Sequence, residues 1–274
     1  MPELPEVETV LQGLKPHIEG AFIQEVVVRH QQLRWPIPAD LKNHLVQTQI
    51  AAISRRAKYL LVSVTTGTMI IHLGMSGSLR IVTRNTSPGR HDHVDVVFSD
   101  THLIRYTDPR RFGAILWTED DPYQHPLLKT LGPEPLEANF TATYLYQSVK
   151  NRRKTIKEFI MDSHVVVGIG NIYAAEALFS SQIHPCTPAG LLTETDCVHL
   201  VESIQAILQS AIKQGGTTVK DFINSDGKPG YFAQELQAYA RGGLPCRRCQ
   251  APLTSIKLGQ RSTVFCANCQ KVPV

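Results

Sequence analysis

The residues best suited to chemistry stand at the start of the chain, in Met1-Pro2-Glu3-Leu4-Pro5-Glu6-Val7-Glu8. Removal of Met1 would leave Pro2 with a free secondary amine, and an α-amino group titrates near neutrality, at about 7.7–8.0. Such an amine can attack an electrophilic carbon and form an iminium. Glu3, Glu6 and Glu8 supply carboxylates that can act as acids, bases or electrostatic stabilisers. The same residues also fit an ordinary helix start, with proline and acidic side chains in the first turn.

One amphipathic helix would hold these residues in place. Apolar side chains recur at helical spacing and Gly20 follows as a stop, which predicts a helix whose buried stripe anchors Pro2. The apolar stripe consists of Val7, Val10, Leu11, Leu14 and Ile18.

Two further stretches differ in their patterns. Residues 21–117 carry short β-rich runs, typical of a sandwich or barrel, at 23–29, 59–64, 69–73, 79–83, 94–98, 103–106 and 114–117. After residue 122 the pattern becomes helical, with helices predicted at 142–150, 156–163, 172–181 and 195–214. Two prolines within residues 131–135 indicate a linker between these stretches.

Four cysteines form the strongest local motif. Cys246, Cys249, Cys266 and Cys269 make two C-x2-C pairs separated by sixteen residues. Four thiolates fill a tetrahedral zinc shell, so the predicted site is structural rather than catalytic. Disulfides are the alternative, but the start of the chain has no signal-peptide pattern, which favours a reducing compartment.

The charge distribution favours an anionic partner. The net charge of the 274 residues is +4, yet residues 241–274 hold six Lys or Arg and no acidic residue. The last 34 residues therefore carry +6 and the rest −2, a concentration typical of phosphate contact. Further basic clusters lie at 54–58 and 152–157, although solvated faces would look the same. No apolar run is long enough to span a membrane, so we expect a cytoplasmic protein.

Taken together, the motifs identify a family. The chain resembles the bacterial formamidopyrimidine-DNA glycosylases over nearly its whole length. The N-terminal motif and the four cysteines carry the resemblance, together with Arg56-Ala57-Lys58-Tyr59-Leu60, His72-Leu73-Gly74-Met75-Ser76-Gly77, Asp108-Pro109-Arg110-Arg111-Phe112-Gly113 and Gly168-Ile169-Gly170-Asn171-Ile172-Tyr173.

The resemblance implies an α+β fold. An N-terminal helix with a β-sandwich would occupy residues 1–130, a helix–two-turn–helix domain 131–238, and a four-cysteine zinc ribbon 239–274. One structural zinc ion is the implied cofactor, and damaged double-stranded DNA is the implied partner of a monomer that is nucleoid-associated through DNA binding.

The resemblance also implies base-excision repair chemistry. Pro2 would expel an oxidised purine, such as 8-oxoguanine or a formamidopyrimidine opposite cytosine, through a Schiff base. Glu3 would be the acid and Glu6 would support the same centre. Lys58 would serve β-elimination and Arg261 δ-elimination, which together nick the strand.

The remaining residues implied by the resemblance contact DNA. Met75, Arg110 and Phe112 would fill the void left by a flipped base, with Arg110 reading the orphaned cytosine. The segment from Thr217 to Tyr231 would cover the flipped base. Phosphate contacts are expected first from His91, Arg153, Asn171 and Arg261, and then from Lys58, His72, Lys257 and Tyr239. Lys154 or Lys157 could replace Arg153.

Two alternatives stay open at this point. An endonuclease VIII-like glycosylase shares the fold but removes oxidised pyrimidines; the Leu4 start, Met75 and residues 110–112 favour the purine enzyme. A non-catalytic protein that binds lesions through the zinc ribbon would not need Pro2, Glu3 and Lys58 together.

Overall fold

The computed structural model describes residues 1–217 and 232–271. The chain divides into two compact units, the first formed by Met1–Thr130 with Gln214–Ala233 and the second by Leu131–Lys213 with Gln234–Val274. Within the described ranges, no helix is both long and apolar enough to cross a membrane.

The predicted amphipathic helix is confirmed as α1 (Leu4–Ile18). All five residues of its predicted apolar stripe are buried in the core of unit 1. Because the helix is packed along this stripe, its N-terminus is held against the body of the unit. A short helix, α2 (Leu41–Leu45), also packs on this core and was not predicted.

Two four-stranded antiparallel sheets enclose that core and form the predicted β-sandwich. One sheet has the order β1-β6-β7-β5 and the other β2-β3-β4-β8. The strands are β1 (Glu25–Val28), β2 (Ile50–Arg56), β3 (Tyr59–Val64), β4 (Gly67–His72), β5 (Ser78–Thr83), β6 (Asp92–Val97), β7 (His102–Thr107) and β8 (Ala114–Thr118).

Strand β2 was missed by the sequence analysis. It is an edge strand with only Ile50 and Ile53 fully buried, and its register shifts between Ile50 and Ala52. The alternation that marks a half-buried strand is therefore interrupted.

Unit 2 contains four α-helices within its described residues: α3 (Ala142–Val149), α4 (Ile156–Ile160), α5 (Asn171–Ser180) and α6 (Glu194–Lys213). A short 3-10 helix covers Ala189–Leu191. Three of the α-helices match the predicted helices closely, whereas α4 ends three residues early. The N–H of Met161 closes the last turn of α4 on the carbonyl of Lys157, and the side chain of Asp162 then accepts the N–H of His164 at 3.1 Å. This local hydrogen bond competes with continuation of the helix.

A two-stranded hairpin completes unit 2. Strands β9 (Thr254–Leu258) and β10 (Arg261–Phe265) pair with Arg261 opposite Leu258. The connecting residues Gly259 and Gln260 have φ values of 53° and 62°, as a tight two-residue turn requires. Arg261 is the first residue after this turn, so the hairpin presents it at an exposed tip.

Candidate functional site

The N-terminus of α1 is built from buried groups. Pro2 is buried, and Glu3 and Glu6 are 3% and 0% exposed. Glu3 is the N-cap residue, and its N–H donates to Oε2 of Glu6 at 2.8 Å, in a capping box. Because the backbone next to Pro2 is tied to the first helical turn, the orientation of Pro2 is set by the helix.

The second oxygen of Glu6 binds a distant part of unit 1. Oε1 accepts both the N–H and the hydroxyl of Thr217, at 2.9 and 2.8 Å. Gly216, with φ 78°, lies so close that a Cβ there would be 3.1 Å from the same oxygen. The N–H of Phe232 donates to the carbonyl of Gly216 at 3.1 Å. Thr217, which flanks 218–231 on one side, is therefore bonded to Glu6, and Phe232 on the other side is bonded to the neighbouring Gly216. Apart from Thr217, the predicted cover over the flipped base lies outside the described residues.

Glu8 does not join this cluster. Its Oε2 accepts Nε of Arg55 at 2.8 Å, and Nη1 of Arg55 donates to the carbonyl of Ala57 at 2.9 Å. Ala57 is buried with φ 55° in the two-residue turn between β2 and β3, next to the half-buried Lys58. Through Arg55, Glu8 links α1 to the turn that carries Lys58.

Met75, Arg110 and Phe112 lie on two turns that join the sheets of the sandwich. Residues 73–77 connect β4 to β5, and residues 108–113 connect β7 to β8. Strand β4 pairs with β8 and β5 pairs with β7, with His72 opposite Ala114 and Ser78 opposite Thr107. The two turns therefore lie side by side at one end of the sandwich.

The three side chains on these turns are exposed. Met75 and Phe112 are 41% and 47% exposed, although both are large and apolar. The guanidinium carbon of Arg110 lies 4.8 Å from the centre of the Phe112 ring, within cation–π distance. Exposed apolar side chains on fixed turns are suited to insertion between bases.

The two histidines named in the sequence analysis lie near the same turns. Nδ1 of His72 accepts the N–H of Gly74 at 3.0 Å, and the carbonyl of His91 accepts the N–H of Asp108 at 3.0 Å. Burial, then the charges of Lys58 and Arg34, lower the pKa of His72 from 6.5 to about 4. His72 is therefore neutral at pH 7 and can offer a phosphate only its Nε2–H.

In unit 2 the tip of the hairpin is held by two polar side chains. Lys157 is 1% exposed, and its Nζ contacts Oγ1 of Thr263 at 2.6 Å and the carbonyl of Ser262 at 3.3 Å. Nδ2 of Asn171, the first residue of α5, donates to the same carbonyl at 3.0 Å. Arg261 is adjacent to this anchor, and the exposed Lys257 is opposite Ser262 on β9.

The basic cluster at 152–157 separates into different environments. Arg153 is exposed on a surface cavity of about 560 Å³, whereas Nζ of Lys154 on the same cavity lies 3.2 Å from Oδ2 of Asp162. Lys157 is buried against the hairpin. Of the three candidates, Arg153 is the one whose geometry best suits phosphate contact.

A buried carboxylate positions Tyr239. Oε1 of Glu176, on α5, accepts the N–H of Tyr239 at 2.7 Å and that of Ala238 at 2.9 Å, and Oε2 accepts the N–H of Gln237 at 2.8 Å. Burial raises the pKa of Glu176, although these three hydrogen bonds oppose the shift. Tyr239 is half-buried, so its position depends on α5 through its backbone.

The four cysteines converge as predicted. Their Sγ atoms all lie within 4.8 Å of one another, with Cys246–Cys269 at 4.0 Å and Cys249–Cys266 at 3.5 Å. These distances are too long for disulfides, whose sulfurs lie about 2.0 Å apart. They fit a tetrahedron with metal–sulfur bonds of about 2.3 Å, in which sulfurs are about 3.8 Å apart.

Comparison with known proteins identifies the family. Residues 1–115 match the model of the formamidopyrimidine-DNA glycosylase N-terminal domain, residues 131–223 its H2TH domain, and residues 243–272 a zinc finger found in FPG and IleRS. The formamidopyrimidine-DNA glycosylase of Saccharophagus degradans is 54% identical over 271 residues, which cover 99% of this chain and 100% of the relative. The chain belongs to the formamidopyrimidine-DNA glycosylase family. It is therefore a base-excision DNA glycosylase.

Solved structures of formamidopyrimidine-DNA glycosylases agree with this fold. A Lactococcus lactis FPG variant in complex with Fapy-dG-containing DNA superposes with a TM-score of 0.91 at 35% identity, covering 98% of this chain and 100% of that one. MutM in complex with DNA containing carbocyclic 8-oxo-G gives 0.89 at 36% identity, with the same coverage of both chains.

Several residues that hold the site together could not be recognised from the sequence. Thr217 binds Glu6 across 211 residues of sequence. Arg55 binds Glu8 across 47 residues, and Glu176 binds the backbone N–H of Tyr239 across 63 residues. No spacing rule links residues so far apart. The one local signal was Gly215-Gly216 before Thr217, where the positive φ values of both glycines mark a turn.

Proposed function

We propose that this protein excises oxidised purines, 8-oxoguanine and formamidopyrimidines, from opposite cytosine and then nicks the strand as a lyase. The observation that carries the proposal is the buried N-terminus of α1, where Glu6 holds the backbone of Glu3 beside Pro2. Several relatives support the substrate class, since the DNA bound to them contains Fapy-dG or carbocyclic 8-oxo-G. Another structure of the Lactococcus lactis enzyme holds DNA with an oxidised pyrimidine, so the substrate class needs a direct test.

The first step is nucleophilic attack by the amine of Pro2 once Met1 has been removed. Its lone pair bonds to the anomeric carbon, and the electron pair of the glycosidic bond leaves with the base. The nitrogen then loses its N–H proton, and the departing base takes up one proton. Glu3 gives a proton to the ring oxygen, so the sugar opens and an iminium remains.

Strand cleavage follows from the iminium. It acidifies the adjacent C2′ proton, whose loss expels the 3′ phosphate, and a second elimination expels the 5′ phosphate. We assign the first elimination to Lys58 and the second to Arg261. The products are the free base and a gap bordered by phosphates.

The base must first leave the stack, because its glycosidic bond is out of reach in a duplex. In the proposal, Met75 and Phe112 enter the stack at the void and Arg110 hydrogen-bonds the orphaned cytosine. Phosphate contacts come from His72 and His91 in unit 1 and from Arg153, Asn171, Tyr239, Lys257 and Arg261 in unit 2.

We assign one structural zinc ion to the four cysteines. The apolar cluster around them is small, consisting of Phe179, Ala238, Leu253 and Val264 besides two of the cysteines. So few apolar residues cannot stabilise a hairpin alone, and metal binding supplies the missing free energy. The metal holds the ribbon that carries Lys257 and Arg261 and takes no part in the reaction.

Borohydride trapping on a duplex with 8-oxoguanine opposite cytosine tests the proposal. Reduction of the iminium should leave a covalent adduct, and mass spectrometry should map it to Pro2. The same duplex with undamaged guanine is the control, and a thymine-glycol duplex measures the endonuclease VIII-like alternative. Faster trapping on thymine glycol would overturn the substrate class, and an adduct on a lysine would overturn the nucleophile. Tight binding to both damaged duplexes without an adduct would favour a lesion-binding protein.

A further inference from the structure

The two turns that carry Met75, Arg110 and Phe112 meet at one buried carboxylate. Asp108 is 0% exposed and begins the second turn. Its Oδ1 accepts the hydroxyl of Ser76 at 2.8 Å and the N–H of Arg110 at 3.2 Å. Its Oδ2 accepts the N–H of Gly113 at 2.8 Å and the hydroxyl of Tyr106 at 3.3 Å.

These four donors bracket the exposed side chains. Ser76 directly follows Met75, while Arg110 and Gly113 flank the backbone that presents Phe112. The carboxylate therefore joins the Ser76 side chain on the first turn to the backbone of the second, and Ser76 and Asp108 are 32 residues apart in sequence. Hydrogen bonds to a buried charge are among the stronger ones in proteins.

The turns are also in close backbone contact. A Cβ on Gly74, where φ is 63°, would come within 2.4 Å of the nitrogen of Gly113. A Cβ on Gly113 would come within 1.8 Å of the hydroxyl of Tyr106. Glycine is therefore required at both positions, and the carboxylate of Asp108 lies beside a contact that leaves no room for a side chain.

Other members of the network are equally buried. Nε2 of His93, which is 4% exposed, lies 2.8 Å from the carbonyl of Asp108. Tyr106 is 1% exposed, and burial followed by the charge of Asp108 raises the pKa of its hydroxyl. The raised pKa keeps the hydroxyl of Tyr106 protonated near pH 7, so it can donate to the carboxylate of Asp108.

We propose that Asp108 is a positioning residue for void filling: it clamps the Met75 turn to the Arg110–Phe112 turn so that the three side chains enter DNA as one rigid wedge. The proposal rests on the proposed role of these three residues. Without the clamp, the two turns would be more mobile in the free protein. Ordering them on binding would cost free energy and weaken the affinity for DNA.

Asparagine at position 108 weakens the clamp with little change in shape. Each oxygen of Asp108 accepts one backbone N–H, from Arg110 or from Gly113. Whichever way an amide is oriented, its NH2 group faces a backbone N–H, which cannot become an acceptor. The Asp108→Asn variant therefore loses its charge and one backbone hydrogen bond in either orientation. Where the lost bond is that of Arg110, its N–H keeps Oγ of Ser76 as an acceptor at 3.3 Å.

Two other variants provide controls. Asp95, on β6 of the same sandwich, is 2% exposed and accepts Nε and Nη2 of Arg105, each at 2.9 Å. Asp95→Asn thus removes a buried charge without touching either turn. Ser76→Ala removes one partner of Asp108 and is the milder test if Asp108→Asn does not fold.

The experiment measures affinity for a duplex with a tetrahydrofuran abasic analogue opposite cytosine, and for the undamaged duplex. Asp108→Asn should bind the abasic duplex at least about tenfold more weakly, equivalent to 1.4 kcal/mol, and Ser76→Ala should show a smaller loss. Both should bind undamaged DNA within about twofold of wild type, since no void is filled there. Asp95→Asn should bind both duplexes as wild type does.

Two outcomes would overturn the clamp: unchanged affinity of Asp108→Asn for the abasic duplex, or an equal loss for both duplexes. If Asp108→Asn does not fold, unchanged affinity of Ser76→Ala for the abasic duplex overturns it as well.

Combining Asp108→Asn with Phe112→Ala adds a readout that general destabilisation would not move. The double variant should bind the abasic duplex about as weakly as Asp108→Asn alone, because both changes disable one wedge. Wild-type excision of 8-oxoguanine is measured in parallel, and its absence would overturn the proposed substrate without bearing on the clamp.

Discussion

Replacing Glu6 with glutamine should uncouple the N-terminal amine from the segment that begins at Thr217. The carboxylate accepts three hydrogen bonds in a fully buried position, one from the Glu3 N–H and two from Thr217. The glutamine amide has one oxygen, so it can accept the N–H of Glu3 or the N–H of Thr217 but not both. Its NH2 group then faces the other backbone N–H, which also only donates. One buried donor is left unpaired, which costs about 1–3 kcal/mol, and the surviving bonds lose their charge.

The expected destabilisation is about 3 kcal/mol. For a unit of this size, each kcal/mol lowers the melting temperature by roughly 2–4 °C, so calorimetry should find a decrease of roughly 6–12 °C. Trapping on single-stranded abasic DNA should also slow, because the Glu3 N–H loses its acceptor and the backbone beside Pro2 loosens.

Thr217→Val is the matched control. It removes the hydroxyl bond to Glu6 Oε1 but keeps the Thr217 N–H bond and leaves the Glu3 N–H bonded to Oε2. It should therefore destabilise by about 1 kcal/mol and trap at nearly the wild-type rate. Equal loss of trapping in both variants, or a Glu6→Gln protein that melts and traps like wild type, would refute the reasoning.

Three further predictions concern protonation, metal and phosphate contact. Folded His72 stays neutral down to about pH 4, whereas the unfolded chain takes up a proton near 6.5. The free energy of unfolding should therefore fall as pH drops from 6.5 to 4, by up to about 3 kcal/mol in urea melts, and by less in His72→Gln. Cys246→Ser should lower zinc content in a colorimetric assay and weaken DNA binding while unit 1 stays folded. Arg153→Gln should reduce the log–log salt slope of DNA binding by about 1, whereas Lys157→Met should weaken binding without changing that slope.

Each of these predictions has an outcome that contradicts it. If the free energy of unfolding of His72→Gln depends on pH as it does in wild type, groups other than His72 cause that dependence. Full zinc content in Cys246→Ser would exclude a four-thiolate shell. A reduced salt slope in Lys157→Met would mean that this lysine reaches a phosphate, despite its contact with Thr263 at 2.6 Å.

Features set by residues close together in the sequence were predicted correctly, whereas features that depend on distant partners were not. The helical stripe of α1 and the two C-x2-C pairs are local patterns, and each predicted its structure correctly. Lys157 belongs to a basic run and looked like part of a solvated face. Its burial depends on Thr263, 106 residues away, and no local pattern encodes such a partner. Strand β2 was missed for a related reason, since its edge position leaves most of its residues partly or fully exposed.

Four of the buried polar residues share one role, which is to fix the backbone that carries the exposed functional side chains. Glu6, Asp108 and Glu176 each accept at least two backbone N–H groups, and Lys157 donates to a backbone carbonyl. In each case the bonded backbone lies beside, or belongs to, a residue assigned to catalysis or DNA contact. A buried charge without partners would be strongly unfavourable, so each group stabilises only the conformation that supplies its partners. Substitution of these residues should therefore loosen one segment at a time, and the exposed side chains should lose geometry before the protein loses its fold.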